Sequence, residues 1–282
     1  MWITHSLLMF VASVVLYLLI RKCQILNIPY QIYSIAMFGI PFIGFSVAVL
    51  FNFNVLHIPL FQILVSFIAA IFFSYLGNLF SMESIKIAPN PGYSLIISKS
   101  YVIFTTIVAY LLFHSEISLK NLLAILLIIA FSSLISISKS IRKSNLKWLI
   151  LSIFAFFCWG LLALAFKYQI EQKVPLIARS FYLLLVVNIL LIIETKLKRT
   201  SFLKFKPHFI LIFAVGIFSG LLNIFMQFAY EVAPNPGYVN AVNASSIALL
   251  TILSGYFFKD ELNLKKLLGV FGVTGGLILL FF

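Results

Sequence analysis

The residues of this chain that could do chemistry are one lysine and several amides set inside long apolar segments. Lys99 stands within the apolar run 91–113, and no acidic residue lies within a helical turn of it. A charged side chain in such surroundings is costly and is by default a functional hypothesis. Lys99 could attract an anionic group or exchange a proton; alternatively, its long stem carries the ammonium to the nearer end of the segment.

Amide side chains recur at helical spacing in other apolar segments. Asn240 and Asn243 are three residues apart, and Gln227 follows Asn223 by four. Residues at these spacings share one face of a helix, so each set could line a cavity. The alternative is hydrogen bonding between packed helices; for the two asparagines on one face we favour the cavity.

The chain carries one six-residue phrase twice, which indicates an internal repeat. The run 88–93 (APNPGY) returns 145 residues later as 233–238, and the same offset places Asn78 on Asn223. Asn is a favoured N-cap, and Pro is favoured at the first helical position. Each phrase therefore predicts a helix end, a tight turn and a new helix start. The free N–H groups of that start could also hold an anionic group.

The composition is that of a protein built into a membrane. Hydrophobic residues make up 63% of the 282 residues and charged residues 10%, whereas soluble domains carry about 25% charged residues. Since spanning segments must satisfy their own backbone hydrogen bonds, we expect an all-α polytopic membrane protein. Ten apolar segments are long enough to span a bilayer: 3–20, 31–51, 60–87, 91–113, 119–138, 146–168, 175–193, 207–232, 236–258 and 262–282.

The ten helices divide into two halves of five, residues 1–140 and 141–282. Because five is odd, the second half enters the membrane from the opposite side, which gives the inverted repeat found in many secondary transporters. Lys and Arg fall mostly in the connections on one side of the predicted bilayer, 15 against 4, and the four on the other side are Lys120, Lys167, Lys173 and Arg179. The positive-inside rule places that side in the cytoplasm and both termini outside, in what we expect to be a bacterial cytoplasmic (inner) membrane.

The chain resembles the drug/metabolite transporter superfamily in its EamA-like ten-helix branch. The resemblance rests on Phe157–Gly160 (FCWG) with Lys167, on 257–262 (FFKDEL), and on Gly269, Gly275 and Gly276, with 113–117 as a weaker first-half copy. It implies a central cavity formed by helices 1, 3, 4, 6, 8 and 9, alternating access, and small organic substrates. The substrate-binding residues that we predict are Asn78, Tyr93, Ser98, Lys99, Trp159, Asn223, Gln227, Tyr238, Asn240 and Asn243.

These observations predict a secondary transporter or facilitator of a small organic metabolite, anionic or amino-acid-like. We expect membrane lipid and a small-molecule substrate as partners, no nucleic acid, and a monomer or homodimer. No cofactor, metal site or catalytic residue is predicted, because no metal-binding motif and no nucleophile–base pair is visible. One alternative is a multidrug or cation exporter, although the buried carboxylate that such chemistry needs is missing from the first helix. Another is a non-transporting integral membrane subunit.

Overall fold

The computed structural model describes residues 1–88, 91–136, 146–200, 203–260 and 262–282, with the backbone alone at 91–93 and 203. Within these ranges ten helices are long and apolar enough to cross a membrane, which confirms the predicted all-α membrane fold. The predicted boundary between the halves, at residues 140 and 141, lies outside the described residues.

The ten helices follow the predicted segments closely. α3 contains a π-helical stretch, Ala69–Tyr75, between two α-helical parts. α4 has two consecutive parts, Pro91–Lys99 and Tyr101–Phe113. The remaining bounds are α1 Trp2–Ile25, α2 Tyr30–Phe51, α3 Leu60–Ile87, α5 Leu119–Ser136, α6 Lys147–Glu171, α7 Leu176–Leu197, α8 Phe209–Val232, α9 Pro236–Phe258 and α10 Leu264–Phe281.

The repeated phrase ends one helix and starts the next, as its residues predict. Ala88 and Ala233 both adopt an extended backbone, since a residue before proline is disfavoured in the helical region. The following helices begin at Pro91 and Pro236. In the second copy, Asn235 caps α9 by accepting a hydrogen bond from the N–H of Gly237 at 2.8 Å. Asn90, its mate in the first copy, lies outside the described residues.

The two halves pack into each other as matched pairs of helices. α1 packs against α8 and α9, and the equivalent helix of the second half, α6, packs against α3 and α4. Likewise α8 contacts α2 where α3 contacts α7. A central space bounded by both halves follows from this interlocked arrangement, which agrees with an inverted five-helix repeat.

Glycines on α10 allow close contact with α5. A Cβ at Gly272 would lie 2.0 Å from Cγ of Phe131, and one at Gly276 would lie 2.8 Å from Cγ1 of Ile128. These two glycines, four residues apart, therefore serve packing within the bundle, as expected for such spacing.

Because each helix crosses once, successive connections alternate between two faces. We call the face with the α1–α2, α3–α4, α5–α6, α7–α8 and α9–α10 connections the basic face, after its Lys and Arg residues. The other connections and both chain ends form the opposite face. Arg179, which we assigned to a connection on the opposite face, instead lies buried within α7, where its guanidinium donates to Glu231 at 2.7 Å.

Candidate functional site

A cavity of about 200 Å³ lies between the two halves, bounded by α1, α2, α3, α4, α6, α8 and α9. Its wall is mixed, with aromatic and aliphatic side chains beside a few amides, hydroxyls and one lysine. Five of the predicted residues line it: Asn78, Lys99, Trp159, Asn223 and Asn243. Amides from both halves thus meet in one space, which is where transporters of this architecture bind their substrates.

Asn78 and Asn223, the repeat mates, have the same local geometry. Each amide Nδ2 donates to the backbone carbonyl four residues earlier, at Ser74 (2.9 Å) and Ser219 (2.8 Å). This bond fixes the orientation of each amide. Within the described residues neither Oδ1 accepts a hydrogen bond, so each is available to a donor in the cavity.

Lys99 is the one basic residue among the described residues that line the cavity. Its Nζ lies 5.7 Å from the centroid of the Tyr17 ring, within the range of a cation–π contact. In the described part of the chain, the carboxylates within ion-pair distance of a basic side chain all pair with bases other than Lys99: Glu83, Glu171, Glu194, Glu231 and Asp260. Glu116 is exposed in the α4–α5 connection. Lys99 therefore faces the cavity without a counter-ion among the described residues.

Asn243 offers a donor to the cavity, whereas Asn78 and Asn223 offer acceptors. Its Oδ1 accepts a hydrogen bond from Ser13 Oγ at 3.0 Å, and Ser13 also bonds to Ser246 Oγ at 3.1 Å. Because Ser13 of α1 already donates to Oδ1, the amide N–H₂ is the group that Asn243 offers to the cavity. Donors on α4 and α9 thus complement the amide acceptors on α3 and α8.

Trp159 reaches the cavity because glycines let its helix approach its neighbours. A Cβ at Gly77 on α3 would lie 3.2 Å from Cδ1 of Trp159, and one at Gly160 would lie 2.5 Å from Cδ1 of Phe104. The Tyr101 ring packs edge-on against Trp159, with centroids 6.1 Å apart. The two rings form a rigid aromatic part of the cavity wall.

The structure places four other predicted residues away from the cavity wall. Ser98 bonds to the carbonyl of Leu95 on its own helix, and Gln227 accepts a hydrogen bond from buried Arg179 at 3.1 Å. Asn240 accepts from the Tyr230 hydroxyl at 2.5 Å, and Tyr238 donates to the carbonyl of Glu116 at 3.1 Å. Their role in substrate binding stays a prediction. The side chain of Tyr93 lies outside the described residues.

Sequence reasoning missed several polar residues of the cavity. Ser74 and Ser219 line it and are separated by the same 145-residue offset as the asparagines, so the repeat could have pointed to them. Tyr17 and Tyr230 have no such signal, since the equivalent positions are Leu162 and Ile85. The described residues hold no group of three or more His, Cys, Asp or Glu that could bind a metal ion.

Comparison with known proteins gives one family and one fold. Residues 146–282 match the EamA-like transporter family. A solved structure, titled only as the crystal structure of a protein, superposes with a TM-score of 0.81 at 13% sequence identity. The superposition covers 99% of this chain and 96% of that one, so the whole ten-helix arrangement is shared. The comparison with curated proteins finds no match.

Proposed function

We propose that this protein is a membrane transporter of the drug/metabolite type and that it carries a small organic solute with a carboxylate or phosphate group. The match of residues 146–282 to the EamA-like transporter family supports the first part of the proposal. The observation that carries the choice of solute is Lys99, a cation that faces the cavity and has no counter-ion in the part of the chain that the structure describes. A buried charge is stable when it is paired, and an anionic solute would supply the missing partner.

The remaining polar atoms suit a solute that also has a donor. The anion would lie between Lys99 and the N–H₂ of Asn243. An ammonium or hydroxyl of the solute would donate to the Oδ1 atoms of Asn78 and Asn223, and its apolar part would contact Trp159. An amino acid or a hydroxy acid has this distribution of groups.

The cavity volume favours a metabolite over a large drug. At about 200 Å³ it is smaller than the roughly 300–1,000 Å³ of sites that hold drug-sized ligands. No acidic residue is among the described residues that line it, and this argues against a multidrug cation exporter. A non-transporting subunit would be expected to fill the space between its halves with apolar side chains, whereas this space is partly polar.

Transport would proceed by alternating access, with the halves rocking about the cavity between them. The Lys and Arg residues of the basic face would lie in the cytoplasm, and both termini outside, by the positive-inside rule. We place the protein in the cytoplasmic (inner) membrane of a bacterium.

Counterflow in proteoliposomes tests the proposal. Vesicles preloaded with an unlabelled pool of amino acids, organic acids, amines and sugar phosphates are diluted into the same solutes in labelled form. Transient accumulation of one anionic or zwitterionic solute, beyond protein-free vesicles, is the expected result. If correctly folded and inserted protein carries none of these solutes, the result would contradict the proposal and favour a non-transporting membrane subunit.

A further inference from the structure

The second copy of the repeated phrase docks on the first half of the protein at the opposite face. Asn235 is fully buried, and its Nδ2 donates to the carbonyls of Thr106 and Glu116, each at 3.1 Å. The N–H of Glu116 donates to the carbonyl of Pro234 at 3.1 Å, and the Tyr238 hydroxyl donates to Glu116 O at 3.1 Å. This set of bonds, which we call the latch, joins the α8–α9 turn to α4 and the α4–α5 connection.

A glycine allows the latch to close. A Cβ at Gly237 would lie 1.9 Å from Oγ1 of Thr106 and 2.8 Å from its Cα. A backbone atom of α4 at that distance cannot move aside without shifting the helix. The first turn of α9 therefore reaches α4 only because residue 237 has no side chain.

Three buried polar atoms that have no hydrogen-bond partner among the described residues lie on the same elements as the latch. They are Thr105 Oγ1 on α4, Ser115 Oγ in the α4–α5 connection and Asn240 Nδ2 on α9. A buried polar group that makes no hydrogen bond is destabilising. Water or a polar solute would satisfy all three if α9 and α4 separated at this face.

Toward the basic face, a narrow crevice adjoins the cavity. It shares Lys99 and Ala244 with the cavity and runs along α5 as far as Ser136. The latch, by contrast, joins the two halves at the opposite face.

We propose that the latch is the gate at the opposite face, and that the solute's path there runs between α4 and α9 past Asn240, Thr105 and Ser115. The inference rests on the proposed transport function. When the latch opens, its four cross-half hydrogen bonds break, and the three unpartnered groups line the passage. The second copy of the phrase is then a moving part that exposes the cavity to that side.

Accessibility of a cysteine placed on the path tests the gate. Thr105→Cys is made in a background with Cys23→Ala and Cys158→Ala, and the purified protein is labelled with a membrane-impermeant methanethiosulfonate. Asn235→Ala removes two latch bonds, and Gly237→Ala wedges α9 from α4. Each of these two substitutions should raise the rate at which the introduced thiol at position 105 is labelled by about ten-fold, because it raises the population of the open state.

Two controls make the result specific. Ser118→Ala removes a cap bond on the same face, from the N–H of Asn121 at 3.1 Å, and should leave the labelling rate unchanged. Ala124→Cys, buried between α5 and α10, should stay protected in every variant. If Gly237→Ala does not fold, Asn235→Ala alone decides the outcome.

Labelling that stays slow in folded latch variants would overturn the gate. The readout needs no known solute, so it is independent of the counterflow experiment. A protein that carries nothing but opens at position 105 would refute the transport proposal and keep the gate. Normal counterflow together with unchanged labelling would support the transport proposal and refute the gate.

Discussion

At the scale of the residue, the main difference between the two halves of the site is one charge. Lys99 and Ala244 occupy equivalent positions 145 residues apart, and both line the cavity. Asn78 and Asn223 are matched between the halves, whereas the cation is not. We therefore expect this single lysine to set the charge preference of the site.

Moving this charge to the other half should preserve part of its effect. Lys99→Ala should raise the KM for the carried anion by about ten- to a hundred-fold, because a hydrogen bond to a charged group contributes about 1.5–3 kcal/mol. Adding Ala244→Lys should recover part of the loss, since both positions face one space. Initial uptake rates measure both effects; an unchanged KM in Lys99→Ala would remove the lysine from the site.

The paired asparagines should contribute to similar degrees. Their amides are held by equivalent bonds to Ser74 and Ser219, so Asn78→Ala and Asn223→Ala should each raise KM by roughly three- to ten-fold, the worth of one neutral hydrogen bond. Kinetics of the two single variants and the double variant check this. A loss confined to one of them would show that the symmetric geometry does not extend to binding.

At the scale of the element, glycines decide how closely two helices approach. Gly272 and Gly275 of α10 allow the effect of packing on stability to be measured apart from the effect of helix propensity. Gly272→Ala puts a Cβ 2.0 Å from Phe131, whereas a Cβ at Gly275 meets nothing within 4 Å. Overpacking costs about 1–3 kcal/mol, so Gly272→Ala should lower the melting temperature in detergent. Gly275→Ala is the matched control and should not lower it; equal melting temperatures would contradict the observed α5–α10 contact.

An ion pair ties α1 to the α9–α10 connection, and it should make stability depend on pH. Arg21 donates to Asp260 at 2.6 and 3.0 Å, and these bonds hold the pKa of Asp260 below its ordinary value. A lowered pKa stabilises the fold above the unfolded value, near 3.9, and this contribution disappears as the pH falls through the folded value.

The pair is partly exposed, so its effect should be at most about 1 kcal/mol. Wild type should melt slightly above Asp260→Asn at pH 6, and the gap should close below about pH 4. Melting curves of both proteins across this range give the comparison. If the difference in melting temperature between the two proteins instead grows at acid pH, the predicted sign of this contribution is wrong.

The elements themselves were largely readable from the sequence, because bilayer length and proline–asparagine turns fix where helices begin and end. The π-helical stretch Ala69–Tyr75 was not, since its apolar residues look like any other part of α3. The hydrogen bond that Arg179 donates to Gln227 was not predicted either. Arg179 is 48 residues away from Gln227 and looked like a connection charge, so only the packing of α7 on α8 reveals the bond.

At the scale of the whole molecule, the repeat in the sequence predicted the interlocked halves and part of the site. Asn78, Lys99, Trp159, Asn223 and Asn243 converge because equivalent helices of the two halves pack across one another. The latch was only half visible. The phrase marked a turn, but its bonds to Thr106 and Glu116 depend on which helices of the first half lie beside it.

We propose above all that the protein carries an anionic or zwitterionic solute paired with Lys99. The most direct measurement is the initial uptake rate of labelled anionic, zwitterionic and cationic solutes in proteoliposomes, for wild type, Lys99→Gln and Lys86→Gln. Lys86 is the control, an exposed lysine beside Glu83 at 3.8 Å. We expect saturable uptake of a carboxylate- or phosphate-bearing solute, about ten-fold slower in Lys99→Gln and unchanged in Lys86→Gln. Uptake unaffected by Lys99→Gln, or selective uptake of a solute with only positive charge, would contradict the proposal.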